Sequence, residues 1–205
     1  MEETAFPLFP LGLVALPSEL VPLHIFEPRF VTMIDLCLEQ DHEFGIVWLS
    51  DDDLAQVGCA CEIERVLERL DGGRMNILVR GTRPFRLLGR EDDLPYPAGT
   101  VEFLADDDQA LDLEIDGRVR EIYAELIVQA TDNDPDPDEL AAMGAYEIAA
   151  TVDFGLDAKQ GLLELRSENA RLHQVLRLLR AALKRLEFVE RAQAQARSNG
   201  KIRFG

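Results

Sequence analysis

The chain has 205 residues, 47% of them apolar, which allows one large domain or two small ones with a substantial core. Its three cysteines are too few and odd in number for a secreted disulfide scaffold, and no apolar run approaches the ~18 residues that span a bilayer. A formal net charge of -18 argues against general nucleic-acid binding, because phosphates are repelled.

From the start, Met1 to Pro10 carries Glu2 and Glu3 where a secretory signal would be basic, and Pro7 and Pro10 interrupt its apolar stretch. A reducing, cytoplasmic location is expected. Val21 to Ile25 is short, apolar and β-branched, so it reads as a strand. Glu27-Pro28 can open a helix, with Pro at the first helical position where its missing N–H costs nothing, and Phe30, Ile34, Cys37 and Leu38 continue it to about Gln40. Phe44 to Leu49 is an apolar run of strand length. Val57 to Leu70 reads as a long, twisted strand with a bulge. Asp71-Gly72-Gly73 supplies a hairpin turn, because glycine takes the positive φ such turns need. Met75 to Val79 returns, Gly81 to Pro84 turns again, Phe85 to Leu88 starts another strand, and Gly99 to Leu104 is the last. Many short strands with regular turn signals predict a small closed or nearly closed barrel.

After Asp106-Asp107-Asp108, read as a turn, the period becomes helical. Val119, Ile122, Tyr123, Leu126 and Ile127 form one apolar helix face. Asp132 to Asp138 is a loop, since its two prolines cannot continue a helix. A second helix is predicted from near Pro137 through Val152, and Asp157 with Gln160 forms a capping-box pair for a short helix through Leu165. Ser167 can cap a last, long helix with a stripe from Leu172 to Val189. The organisation predicted is a barrel over residues 1–105, a helical subdomain over 106–197 and a flexible tail over 198–205. The charge divides unevenly between them. Residues 159–205 hold 11 basic and 4 acidic residues, a net of +7, and the rest of the chain carries -25. The basic segment reads more readily as a solvated face near an acidic body than as a docking helix.

Chemical motifs are few. No G-x-x-x-x-G-K-[ST] loop, no G-x-G-x-x-G and no G-x-S-x-G is present. Cys59-x-Cys61 lies in a strand without the turn that folds thiols onto zinc, so it reads as buried core. Asp132, Asp134, Asp136 and Asp138 suggest a calcium loop, but Pro137 and Met143 stand where that loop needs Gly and Glu. No catalytic residue, metal site or cofactor is therefore expected.

The residues nevertheless resemble a known set. Phe6-Pro7-Leu8-Phe9-Pro10-Leu11, Leu16-Pro17, and Val21 through Glu27-Pro28-Arg29-Phe30 resemble the opening of the N-terminal substrate-binding domain of Lon proteases. Val57-Gly58, the strand after it, Gly73 to Gly81 and Arg83-Pro84-Phe85-Arg86 resemble that domain's central segment, and Tyr96 with Val101-Glu102-Phe103 its closing strand. The resemblance is closest to the short, stand-alone members. It implies an α+β fold: a PUA-like small β-barrel followed by an α-helical bundle with a long C-terminal helix. It also implies recognition of unfolded or specific protein segments. The ATPase motor and Ser–Lys peptidase of a full Lon protease have no counterpart in this sequence, so a non-catalytic binding module is expected.

Barrel-plus-bundle domains can offer an apolar groove or an open strand edge to an extended peptide. Glu27, Pro28 and Arg29, at the strand-to-helix junction of the signature, are candidate protein-binding residues; the alternative is a plain helix start. Two other functions stay open: a small-ligand or enzymatic pocket in the barrel, and RNA binding through the basic C-terminal helix. Weak self-association is a further expectation, and no membrane partner is expected.

Overall fold

The structure is a computed structural model and describes residues 2–199 except Asp52 and Asp92. Seven strands come first: β1 (Glu2–Leu11), β2 (Leu20–Ile25), β3 (Phe44–Ser50), β4 (Asp53–Leu54), β5 (Val57–Arg69), β6 (Met75–Glu91) and β7 (Ala98–Phe103), with helix α1 (Pro28–Gln40) between β2 and β3. Five helices follow: α2 (Leu113–Thr131), α3 (Pro137–Ala142), α4 (Ala145–Thr151), α5 (Leu156–Leu163) and α6 (Glu168–Asn199).

Strands β1, β7, β6, β5 and β3 pair in that order, and a parallel β1–β3 pairing closes the ring. One parity of each strand points inward: Phe6 and Leu8, Val47, Ala60, Phe85 and Val101 make a separate buried cluster. Small residues make room for the rings. A Cβ on Gly45 would come 2.5 Å from the Phe85 ring, and one on Gly58 would come 2.6 Å from it. Phe6 packs edge-on against both Phe85 and Phe103, at 5.5 Å in each case. The ring's interior is thus packed with side chains.

The opposite parity faces a larger cluster. Phe9, Phe44, Ile46, Cys59 and Cys61 belong to it, together with Phe30, Met33, Ile34 and Cys37 of α1 and the apolar stripes of α2, α4, α5 and α6. Polar links reinforce this contact. The Gln160 side-chain amide donates to the Val57 carbonyl at 3.1 Å, Ser18 donates to Glu147 at 2.7 Å, and Lys159 pairs with Glu19 at 2.5 Å with both side chains largely covered.

Four local expectations need correction. Strand β1 was not anticipated as a strand. Gly81 to Pro84 is not a turn but lies inside the 17-residue β6. There the neighbour on one side changes, from β2, which pairs through Arg80, to β7, which pairs from Phe85. Pro84 falls in that gap, where its missing N–H interrupts no ladder. Gly81 admits the β1–β2 loop: its amide donates to Glu19 O, and its carbonyl accepts from Ser18 N. The single helix expected from Pro137 to Val152 is two, because Met143 is extended (ψ 132°) and Glu147 caps the Gly144 amide at 3.0 Å. Helix α5 is capped by Gly155 at φ 82° and ends at Leu163, so the Asp157–Gln160 capping box does not form. By contrast, α1 begins at Pro28 and ends at Gln40 as read, and Ser167 caps α6. Of the tail expected over 198–205, residues 200–205 lie outside the described residues, and α6 runs through Asn199.

Candidate protein-binding surface

Beyond the ring, the first half of β6 carries β2 on one side and the second half of β5 on the other. The result is a three-stranded flap. Its inner face (Val21, Leu23, Ile25, Met75, Ile77, Val79) is buried in the main core. Its outer face is the more unusual one. Pro22, His24 and Phe26 share the parity that points outward along β2, and Phe26 is 58% exposed. A register shift between Val66 and Glu68 places a bulge opposite them. Leu67, at the bulge, is 49% exposed and with Glu68 lines the outer face.

A polar ladder crosses this face. The His24 ring stacks on Phe26 (centroids 5.6 Å, 21° apart), and its Nδ1 donates to Asn76 Oδ1 at 2.7 Å. Asn76 Nδ2 in turn donates to Glu68 at 3.0 Å. The ladder fixes the His24 ring, and hence the Phe26 ring stacked on it. Pro22, Leu23, His24, Leu67, Glu68 and Asn76 border an open groove of about 520 Å³. Among the described residues β2 pairs only with β6, so no strand occupies its other edge. A proline in the strand fits such an edge, where a ladder N–H is dispensable. Open strand edges accept an added strand through main-chain hydrogen bonds, while pockets for alternate side chains give selectivity.

The residues anticipated from sequence follow Phe26 directly in the chain and are not among those that border this groove. Glu27 caps α1 without a side-chain hydrogen bond and pairs instead with Arg29 at 2.8 Å. Pro28 and Arg29 are exposed, and the Arg29 guanidinium lies 4.5 Å from the Phe30 ring centroid. Arg29 also borders a separate cleft of about 250 Å³ with Leu8, Arg90 and Tyr96. Phe26, Leu67, Pro22 and Asn76 were not anticipated. The signal in the sequence was that Leu20, Pro22 and Phe26 stand on the parity opposite Val21, Leu23 and Ile25, whereas a half-buried strand needs only one apolar parity.

Cys37, Cys59 and Cys61 are free and buried. Burial pushes the Cys37 thiol up to about 11, and burial together with the Cys61 side chain holds Cys59 well above the ordinary thiol range. Both thiols are therefore protonated and weakly nucleophilic at neutral pH. Among the described residues, no group of three or more His, Cys, Asp or Glu side chains is arranged to hold a metal ion, and no helix is long and apolar enough to cross a membrane.

Comparison with known proteins agrees with this architecture. The family model of the ATP-dependent protease La (LON) substrate-binding domain matches residues 5–181. Lon protease 1 of Hydrogenovibrio crunogenus is 26% identical over 90% of this chain, which spans 24% of that protein. Lon protease 2 of Thermus thermophilus is 29% identical over 93% of the chain, or 26% of its own length. The chain thus spans about a quarter of these relatives. Among solved structures, a Lon N-terminal domain protein from Xanthomonas campestris superposes with a TM-score of 0.67 at 24% identity, covering 86% of this chain and 97% of that one. The N-terminal domain of Mycobacterium avium complex Lon protease gives 0.64 at 20% identity, covering 87% and 98%. With a family match across most of its length and the same barrel-and-helix fold, the chain belongs to the Lon substrate-binding domain family.

Proposed function

We propose that this chain is a non-catalytic module that binds extended, apolar segments of other proteins. The observation that carries the reading is the outer face of the flap: Pro22, His24 and the exposed Leu67 border a groove, the exposed Phe26 stacks on His24, and β2 has no strand partner on its other edge among the described residues. Solvent-exposed apolar groups grouped in this way mark interaction surfaces, whereas single ones do not. An extended segment would add its backbone to β2 and lay alternate side chains between Phe26 and Leu67. Glu27, Pro28 and Arg29 would border it and select for polar groups at one end. Residues 1–105 would thus do the binding, and residues 106–197 would brace the barrel.

A pocket inside the barrel has less support, since the ring's interior is occupied by Phe6, Leu8, Val47, Phe85 and Val101. The buried, free thiols fit a reducing compartment such as the cytoplasm. The direct test is amide hydrogen exchange with and without an extended peptide of alternating apolar and polar residues. Slowed exchange confined to Leu20–Ile25 and the β5–β6 flap supports the reading. Saturable binding that leaves β2 exchange unchanged would remove it.

A further inference from the structure

Helices α2 and α6 start side by side, where the Asp112 amide donates to Asn169 Oδ1 at 2.9 Å, and run in the same direction. Toward their far ends they part around an apolar groove of about 640 Å³. Leu126, Ile127 and Ala130 of α2 form one wall, Leu178, Ala182, Leu186 and Val189 of α6 the other, and Phe154 lies at one side. From Leu178 to Val189 the groove runs about 16 Å at 1.5 Å per residue, the length of three helical turns.

The flank of α6 next to this groove is basic. His173, Arg177, Arg180 and Lys184 recur at helical spacing along it, and Ala181 belongs both to this stripe and to the groove. Phe188, 73% exposed, extends the same stripe, and Arg185 reaches the groove itself. The chain holds 39 acidic against 21 basic residues, so carboxylates are plentiful. Yet among the described residues the ion-paired cations of α6 are Arg171 and Arg191, and none of Arg177, Arg180, Lys184 and Arg185 has a carboxylate within 4.0 Å. A row of unneutralised cations therefore borders an apolar trough that is long enough for a helix. The opposite rim, with Thr131 and Asp153, carries no cation.

We propose that the α2–α6 groove docks an amphipathic helix of a protein partner whose apolar face fills the trough and whose flank toward α6 is acidic. Helix-in-groove recognition reads apolar anchors at i, i+3 or i+4 and i+7, and charge along one rim fixes orientation. Asp153 on the other rim disfavours the reversed placement. This surface shares no residue with the flap, so either site can fail without the other.

The test uses the full chain and three fluorescent helical peptides of about 18 residues, roughly five turns. One carries leucines at the anchor positions and glutamates on one flank, one has those glutamates replaced by lysines, and one has the leucines replaced by serines. Anisotropy titrations should show saturable binding of the glutamate peptide alone, weakening as salt rises because the contact is partly exposed. Arg177→Glu with Lys184→Glu should weaken it by about tenfold or more. Ala181→Trp, which fills the groove without changing charge, should weaken it as well. Phe26→Ser should leave it unchanged. Equal binding of the lysine peptide, or saturation by none of the three, overturns the proposal. So does a dimer in sedimentation that dissociates in the Arg177→Glu, Lys184→Glu variant, which would make a second copy the occupant. Tighter binding of a single-stranded RNA oligonucleotide, lost in the same variant, would assign the stripe to nucleic acid instead.

Discussion

Asp106, in the segment leaving the barrel, holds the guanidinium of Arg171, 65 residues away in the first turns of α6, with both of its carboxylate oxygens. The Arg171 side chain is 4% exposed; it also pairs with Glu168 at 2.8 Å, donates to the Leu165 carbonyl at 3.1 Å and lies 4.4 Å from the Tyr146 ring centroid. Burial opposes its charge, but the hydrogen bonds and the charges of its neighbours outweigh that and hold its proton more tightly than usual. The link from barrel to bundle therefore includes a buried cation with several partners.

Removing the cation should cost more than removing one anion. Arg171→Met should destabilise by about 3–5 kcal/mol, the range for breaking a buried pair. Asp106→Ala should cost about 1–3 kcal/mol, because Glu168 still faces the guanidinium and the lost hydrogen bonds are charged ones. Urea denaturation of both variants measures this. Equal, sub-kcal losses would mean that the apolar core alone joins the two halves.

Gly81 should tolerate nothing larger. A Cβ there would lie 2.1 Å from the Leu16 carbonyl oxygen, a backbone atom that cannot swing aside. Gly81→Ala should cost about 3 kcal/mol or more through backbone displacement. Gly12→Ala, with nothing within 4 Å, should stay within about 0.5 kcal/mol. Thermal unfolding of the pair separates close packing from any general intolerance of side chains in this half of the chain.

Stability should fall in alkali. Burial raises the Cys37 thiol from an ordinary 9.0 to about 11, and Cys59 is raised too. The folded chain therefore holds these protons more tightly than the unfolded chain does. The stabilisation is complete below pH 9 and is lost as pH rises through about 11. Urea midpoints measured between pH 8 and 11 should decline, and Cys37→Ala should flatten the decline. A flat profile in the parent chain would show that the thiols are accessible. With a thiol reagent at pH 8, the native chain should react far more slowly than the urea-unfolded one.

Arg29→Ala tests the chain just beyond Phe26. Its pairing with Glu27 is exposed, so stability should change by about 1 kcal/mol or less. If Arg29 borders the bound segment, association with acidic peptides should slow and lose salt sensitivity while dissociation from neutral peptides stays the same. Stopped-flow binding measures both rates.

Much of this fold was legible because its signals are local. Pro28 opens α1, Ser167 opens α6, and the Asp71-Gly72-Gly73 turn lies between the two long strands, each by a short-range rule. The misreadings came where distant chain decides. Gly81 and Pro84 look like a turn but are strand, because the partner of β6 changes beside them. Met143 breaks a helix that the apolar spacing alone would continue. The candidate surface was only partly legible. Glu27, Pro28 and Arg29 follow Phe26 in the chain but do not line the groove, and Pro22, His24 and Leu67 come to share one face only through β2–β6–β5 pairing and the bulge at Leu67, neither of which the sequence spells out.

The central claim, that the flap's outer face binds extended apolar protein segments, is tested most directly by anisotropy of a labelled, permanently unfolded protein titrated with the parent chain and with Phe26→Ser, Leu67→Ser. Both side chains are exposed, so the double variant should unfold at the same temperature within the roughly 2–4 °C that 1 kcal/mol represents in a chain of this size. The parent should bind saturably, and the double variant should bind at least about tenfold more weakly, a loss of 1.4 kcal/mol or more. Identical affinities for the parent and a folded double variant would contradict the account.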